Sequence, residues 1–163
     1  MTRVFQFGLA IEAFLNIIGA VPFVLYPEWC LSFAVAADSK SGVTSVPPSS
    51  ALLWQVYGAL VLALTIPIIQ CVPNSEAVAE KRQVTFKTLI AGEVFLEAIL
   101  LWHISRPDGS GFTLTSLILS AIFLLPALSW HTFAVYIKPD LMQGYGVAAA
   151  KPAQRKLPAK KTL

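Results

Sequence analysis

Four long apolar stretches dominate the chain, and prolines, glycines or charged residues bound each of them. They cover residues 5–26, 51–72, 86–104 and 112–137. Because the hydrocarbon core of a bilayer is about 30 Å thick, a helix needs about 20 mostly apolar residues to cross it, and all four stretches approach or exceed that length. Turn-forming residues separate them, most clearly Arg106-Pro-Asp-Gly-Ser-Gly111. The pattern predicts four transmembrane helices joined by turns.

The composition points the same way, since 56% of the residues are hydrophobic and only 13% are charged. We therefore predict an all-α fold, an integral membrane four-helix bundle over residues 1–137, followed by a disordered basic tail over 138–163. A cleaved signal peptide is the alternative for the first stretch, but Glu12 and Asn16 within it favour a retained helix. Residues 28–37 either dip into the membrane interface and cap a cavity or extend the first helix.

The positions of Lys and Arg predict the orientation. With four crossings both termini share one side, and ten of the twelve Lys and Arg residues fall there, which favours cytosolic termini. The last residues, Lys160-Lys161-Thr-Leu163, resemble a C-terminal dilysine retrieval signal, so the expected location is the endoplasmic reticulum membrane. The alternative for this tail is disorder with binding to anionic lipid.

Two glutamates, Glu93 and Glu97, interrupt the third apolar stretch. A charged side chain near the centre of a bilayer costs at least about 2.5 kcal/mol, and residues four apart lie on one face of a helix. We expect this pair, together with Glu12 of the first helix, to be catalytic. The alternative is that the pair holds helices together through hydrogen bonds.

Other polar residues are expected at the same depth in the membrane as Glu93. At about 1.5 Å per residue, Glu12, Glu93 and His131 all lie about 10 Å from the cytosolic helix ends. Lipid-facing carboxylates are unfavourable, so these groups should converge between the helices. The expected substrate-binding residues are Asn16, Gln55, Tyr57, Trp54 and His131. As alternatives, Asn16 forms an interhelical hydrogen bond, and His131 and Trp54 are interfacial aromatics, as His103 is expected to be.

Paired carboxyl groups suit acid–base chemistry. Two carboxyl groups one turn apart share a proton more readily than they hold two charges, so one serves as an acid and its neighbour as a base or nucleophile. Such pairs open epoxides, move double bonds or start cyclisations. A substrate that reaches them from lipid must itself be lipophilic.

Other classes of chemistry lack their sequence motifs. The chain has no Gly-rich phosphate loop and no zinc-binding pattern, and its basic tail carries no nucleic-acid-binding module, so neither a cofactor, a metal nor nucleic acid is expected. Cys30 and Cys71 fall at opposite ends of the predicted helices, too far apart for a disulfide. The expected partners are the bilayer and a lipophilic small molecule, with a homo-oligomer left open.

Three segments carry a resemblance to a known group of proteins: Leu52-Leu-Trp-Gln-Val-Tyr-Gly58, Ala91-Gly-Glu-Val-Phe-Leu-Glu97 and Ser110-Gly-Phe-Thr113. With the size and helix count, they resemble the small four-helix fungal membrane proteins of polyketide and terpenoid pathways, of the aurovertin and citreoviridin type. The resemblance implies an epoxide hydrolase, cyclase or isomerase of secondary metabolism. The alternative is a non-enzymatic membrane chaperone or accessory subunit that binds a partner through its intramembrane acids.

Overall fold

The computed structural model describes residues 3–37, 45–106 and 110–142, and this part of the chain is helical without a β-strand. Five α-helices follow one another: α1 (Arg3–Leu25), α2 (Pro27–Ser32), α3 (Pro48–Cys71), α4 (Glu76–Ser105) and α5 (Leu114–Thr132). A π-helical turn, Phe133–Ile137, continues α5, and a 3₁₀-helix, Pro139–Met142, ends the described chain. The all-α prediction is confirmed.

Three helical segments are long and apolar enough to cross a membrane: α1, α3 and the continuous Leu114–Ile137. Their large apolar side chains are mostly exposed, Phe123 for example to 78%, and exposed apolar surface of this extent is compatible with lipid contact. These segments coincide with three of the four predicted spans. The fourth long helix, α4, begins ten residues before the predicted start at 86, and its crossing of the membrane stays a prediction.

Helices α1 and α3 run antiparallel and pack closely along their length. At one end, the side-chain amide of Gln6 donates to the carbonyl of Val72, and at the other Gln55 donates to the carbonyl of Val24, at 3.1 and 2.9 Å. We call the first the near end, where α1 and α4 begin and α3 ends. The opposite end, where α3 and α5 begin, is the far end.

Gly58 makes the close approach of α1 and α3 possible. A Cβ atom added there would lie 2.9 Å from the Cβ of Phe23 and 3.0 Å from the carbonyl oxygen of Ala20. Both atoms are fixed by the α1 backbone, so the two helices would have to separate. Small residues commonly have this role at helix interfaces in membranes.

We expect Gly58→Ala to destabilise the protein by about 1–3 kcal/mol, the usual result of overpacking. Gly92→Ala is the matched control, because a Cβ at Gly92 meets nothing within 4 Å and the helix gains up to about 1 kcal/mol from the better propensity of Ala. Thermal unfolding of both variants in detergent measures the difference. Equal unfolding temperatures would contradict the proposed contact.

The buried core lies at the near end, where α1, α3, α4 and the π-helical turn meet. Its members are Phe5, Leu9, Ala13, Ile68, Cys71, Phe86, Ala134, Val135 and Met142. Met142 belongs to a segment that the sequence assigned to a disordered tail starting at 138, so that boundary is too early. The remaining tail, with Lys160 and Lys161, lies outside the described residues.

Arg82 of α4 is fully buried at this end, where its guanidinium donates to three backbone carbonyls. Nε donates to the carbonyl of Cys71 at 2.8 Å, Nη1 to that of Met142 at 2.9 Å, and Nη2 to that of Pro73. These carbonyls lie at or just beyond helix C-termini, where backbone acceptors lack intrahelical partners and a positive charge is favourable. Arg82 thus ties together α4, the end of α3 and the terminal 3₁₀-helix.

At the far end, α1 is followed by the short helix α2 and then by a three-residue segment, 34–36, that we call the strap. Helix α1 ends at Leu25 and Pro27 begins α2, so residues 28–37 do not extend the first helix. Beyond α2, Ala36 donates its backbone N–H to Gly111, and Thr113 donates its own to Ala34. These bonds hold the strap, residues 34–36, against the start of α5.

Candidate functional site

His131 of α5 lies between two carboxylates from two other helices. Its Nδ1 is 2.8 and 3.0 Å from the two carboxylate oxygens of Glu93 on α4, and its Nε2 is 2.9 Å from Oε1 of Glu12 on α1. The imidazole is 1% exposed, and the ring of Phe86 packs edge-on against it at 4.7 Å between centroids. The three residues expected to share one membrane layer therefore touch, and we call them the triad.

The number of protons that the three side chains of the triad share follows from their hydrogen bonds. If the imidazole donates from both nitrogens, it is an imidazolium between two carboxylates. If the ring is neutral, one nitrogen carries no proton, and a protonated glutamic acid must donate to it. The two arrangements hold the same number of protons and the same net charge of one negative. They differ only in where one proton lies, for example along the 2.9 Å contact between His131 and Glu12. The triad can therefore shift a proton without changing its net charge.

One carboxylate oxygen of the triad is left over. Oε2 of Glu12 is buried and has no hydrogen-bond partner among the described residues, although the same carboxyl group bonds His131 through Oε1. A buried polar atom without a partner is uncommon in folded proteins and is often found at functional sites. Glu12 is thus the residue of the triad that has a hydrogen-bond acceptor left over.

Glu93 and Glu97, expected to act as a pair, have different surroundings. Glu93 uses both oxygens on His131, whereas Glu97 makes no hydrogen bond to Glu93, and its Oε2 is buried without a partner among the described residues. Asn16, one turn from Glu12, is half-buried and outside the triad. The structure therefore brings Glu12, Glu93 and His131 together and leaves Glu97 and Asn16 beside them.

A cavity of about 500 Å³ occupies the far half of the molecule between α3, α4 and α5, with the strap on its border. Trp54 and Tyr57 contribute to its wall, and His103, predicted as an interfacial residue, lines it as well. Gln55, also predicted to bind substrate, instead donates to the backbone of α1. Apolar walls with few polar groups are typical of small-molecule sites.

The triad and the Trp54 end of the cavity lie at different depths, while on α4 the cavity wall reaches Leu96, three residues from Glu93. Trp54 packs on Phe23, whose position along α1 is eleven residues, or about 16 Å, from Glu12. On α5, Leu124 of the cavity wall is seven residues, or about 10 Å, from His131, and the seven-residue spacing keeps both on one helix face. The predicted substrate-binding set is therefore divided, with His131 in the triad and Trp54 and Tyr57 at the cavity.

Sequence reasoning missed two features of this arrangement. It counted Arg82 only as one of the positive charges that set orientation, and it expected His131 to bind substrate or to be an interfacial aromatic rather than to join two carboxylates. The signal for His131 was present in the depth that it shares with Glu12 and Glu93, whereas nothing in the sequence distinguishes Arg82 from its neighbour Lys81.

Among the described residues, no group of three or more His, Cys, Asp or Glu is arranged to hold a metal ion. Comparison with family models, curated proteins and solved structures finds no match to this chain.

Proposed function

We propose that this protein is a membrane-embedded, cofactor-independent enzyme that acts on a lipophilic small molecule by acid–base catalysis. The observation that carries the proposal is the triad with its one unpartnered oxygen, Oε2 of Glu12. The site lies between helices of which two, α1 and the Leu114–Ile137 segment, are apolar enough to cross a membrane, so its substrate arrives from lipid. Epoxide opening, by hydrolysis or cyclisation, is the reaction we propose, in keeping with the resemblance to fungal polyketide and terpenoid enzymes.

Glu12 is the proposed acid. In its protonated form, Glu12 donates its proton to the epoxide oxygen while one C–O bond of the epoxide ring breaks. Water or a hydroxyl group of the substrate attacks the carbon of that bond. The proton lost by the attacking group restores the acid, either directly or through His131. Glu93 holds the imidazole in place and balances its charge, as a carboxylate does for a catalytic histidine. Glu97, with its unpartnered oxygen, is the second carboxyl that we propose to take part.

The membrane setting is part of the same proposal. We infer that α4 crosses the bilayer with the three apolar segments, that the four form a bundle, and that both termini are cytosolic. The dilysine-like Lys160 and Lys161 then face the retrieval machinery of the endoplasmic reticulum. Epitope tags at each terminus, tested for antibody access in selectively permeabilised cells, measure this orientation.

The test of function is turnover of a panel of lipophilic epoxides by purified protein, with products identified by mass spectrometry. We expect Glu12→Gln to lower turnover by at least about 100-fold, because an amide supplies no transferable proton. Glu80→Gln, on an exposed position of α4, is the control and should retain full activity. Wild-type turnover by a well-folded Glu12→Gln variant would remove Glu12 from the mechanism.

The second candidate is a non-enzymatic chaperone or accessory subunit, and one observation favours it. Both nitrogens of His131 already have partners, so the triad also serves to join α1, α4 and α5. This candidate predicts that no epoxide is converted and that Glu12→Gln lowers stability or partner binding only. Turnover that disappears while thermal stability is retained decides for the enzyme.

A further inference from the structure

The cavity at the far end offers a ligand almost no charge. None of its described lining residues is Asp, Glu, Lys or Arg. Its serines are largely engaged: Ser116 donates to the carbonyl of Ala34 at 3.0 Å, and Ser120 to that of Ser116 at 2.8 Å. Because bringing a charge into apolar surroundings without a partner is costly, the cavity selects uncharged molecules.

One buried polar atom of the cavity wall lacks a partner among the described residues. The indole Nε1–H of Trp54 is buried and has no acceptor among the described residues. Its ring is held by Phe23 and Tyr57, at 4.8 and 5.4 Å between centroids, so the position of the donor is fixed by packing. Buried indole N–H groups usually find an acceptor, and leaving a donor unsatisfied costs about 1–3 kcal/mol.

The walls are also held in place before any ligand arrives. The strap is hydrogen-bonded to Gly111 and Thr113, and Thr113 caps α5 by accepting from the backbone N–H of Ser116. A volume of about 500 Å³ lies within the usual range for small-molecule pockets. Preformed walls avoid the cost of ordering a loop upon binding.

We propose that this cavity binds an uncharged lipophilic molecule with an oxygen atom that accepts a hydrogen bond from Trp54. Carbonyl, ether and epoxide oxygens share this acceptor chemistry. Trp54 lies at the level of Phe23, about 16 Å along α1 from Glu12, so a hydrogen bond to its indole does not require the triad. The proposal therefore goes beyond the proposed function, and it is tested independently of it.

Two probes of nearly equal shape test the hydrogen bond: benzophenone, which has a carbonyl oxygen, and diphenylmethane, which has none. Binding to the full-length protein is measured by equilibrium dialysis at constant detergent. We expect Trp54→Phe to weaken benzophenone binding about fivefold, as one neutral hydrogen bond implies, and to leave diphenylmethane binding unchanged. Trp102→Phe, at an exposed ring outside the cavity, should change neither.

Photocrosslinking gives a second readout on the wild-type protein. Irradiated benzophenone should label cavity residues such as Leu100 and Leu117 rather than the exposed Phe95 outside the cavity. Glu12→Gln should keep both the labelling and the fivefold difference, even where it abolishes turnover. Labelling restricted to lipid-facing residues, equal effects of Trp54→Phe on both probes, or no binding of benzophenone by the wild type would each overturn the proposal.

Discussion

His131→Leu is expected to destabilise the protein by about 3–5 kcal/mol, the cost of removing one partner from a buried ion pair. The substitution leaves the carboxyl groups of Glu12 and Glu93 without the imidazole that both now contact. It also removes the ring that packs against Phe86. The free energy of unfolding, obtained by titration with a denaturing detergent, measures the loss.

His103→Leu is the matched control, because His103 is only partly buried and lies in the cavity wall rather than in the triad. We expect its effect to stay within about 1 kcal/mol, as for most substitutions away from a buried network. A loss as large as that of His131→Leu would show that the unfolding signal does not report the triad.

A triple variant separates stability from catalysis. Adding Glu12→Leu and Glu93→Leu to His131→Leu removes the stranded carboxyl groups, and replacing a whole buried ionic network by hydrophobic residues of similar volume is often nearly neutral or stabilising. We expect this variant to regain much of the stability and none of the turnover. A triple variant as unstable as His131→Leu would show that packing of the imidazole, rather than its charge, dominates the loss.

Part of this site follows from the sequence and part does not. Depth along a helix is a count of residues, which is why Glu12, Glu93 and His131 were expected in one layer. Hydrogen-bond partners depend in addition on how each helix is rotated about its axis, and adjacent residues differ by 100°. Glu97 was therefore expected beside Glu93 as its partner, whereas His131 is the residue that Glu93 contacts.

The fold shows the same division. The apolar stretches predicted the bounds of all four long helices to within a few residues, apart from the start of α4. There the charged residues before 86 are not apolar, so the first turns of the helix were not predicted. The cavity was harder to foresee, since its border depends on Ala34 pairing with residues near 113. A contact between segments so far apart in sequence leaves no local periodic signal.

Arg82 is the residue whose role the sequence hides most completely, and its replacement is the other large effect that we expect. Arg82→Met keeps the length and apolar stem of the side chain but removes the donors to the carbonyls of Cys71, Pro73 and Met142. Each buried carbonyl left without a donor costs about 1–3 kcal/mol, so the total loss should be about 3 kcal/mol or more. Arg82→Lys should fall between, because an ammonium lacks the planar fork of donors.

Lys81→Met is the control, since Lys81 is the exposed neighbour of Arg82 and its loss removes the same charge. The thiol of Cys71, buried beside the guanidinium, reports local opening through its rate of labelling in a Cys30→Ser background. We expect faster labelling in Arg82→Met and wild-type labelling in Lys81→Met. Of Lys81 and Arg82, it is Arg82 that donates to carbonyls at the ends of α3 and the terminal 3₁₀-helix. Equal labelling rates in the two variants would therefore mean that Arg82 supplies charge at this end rather than these contacts.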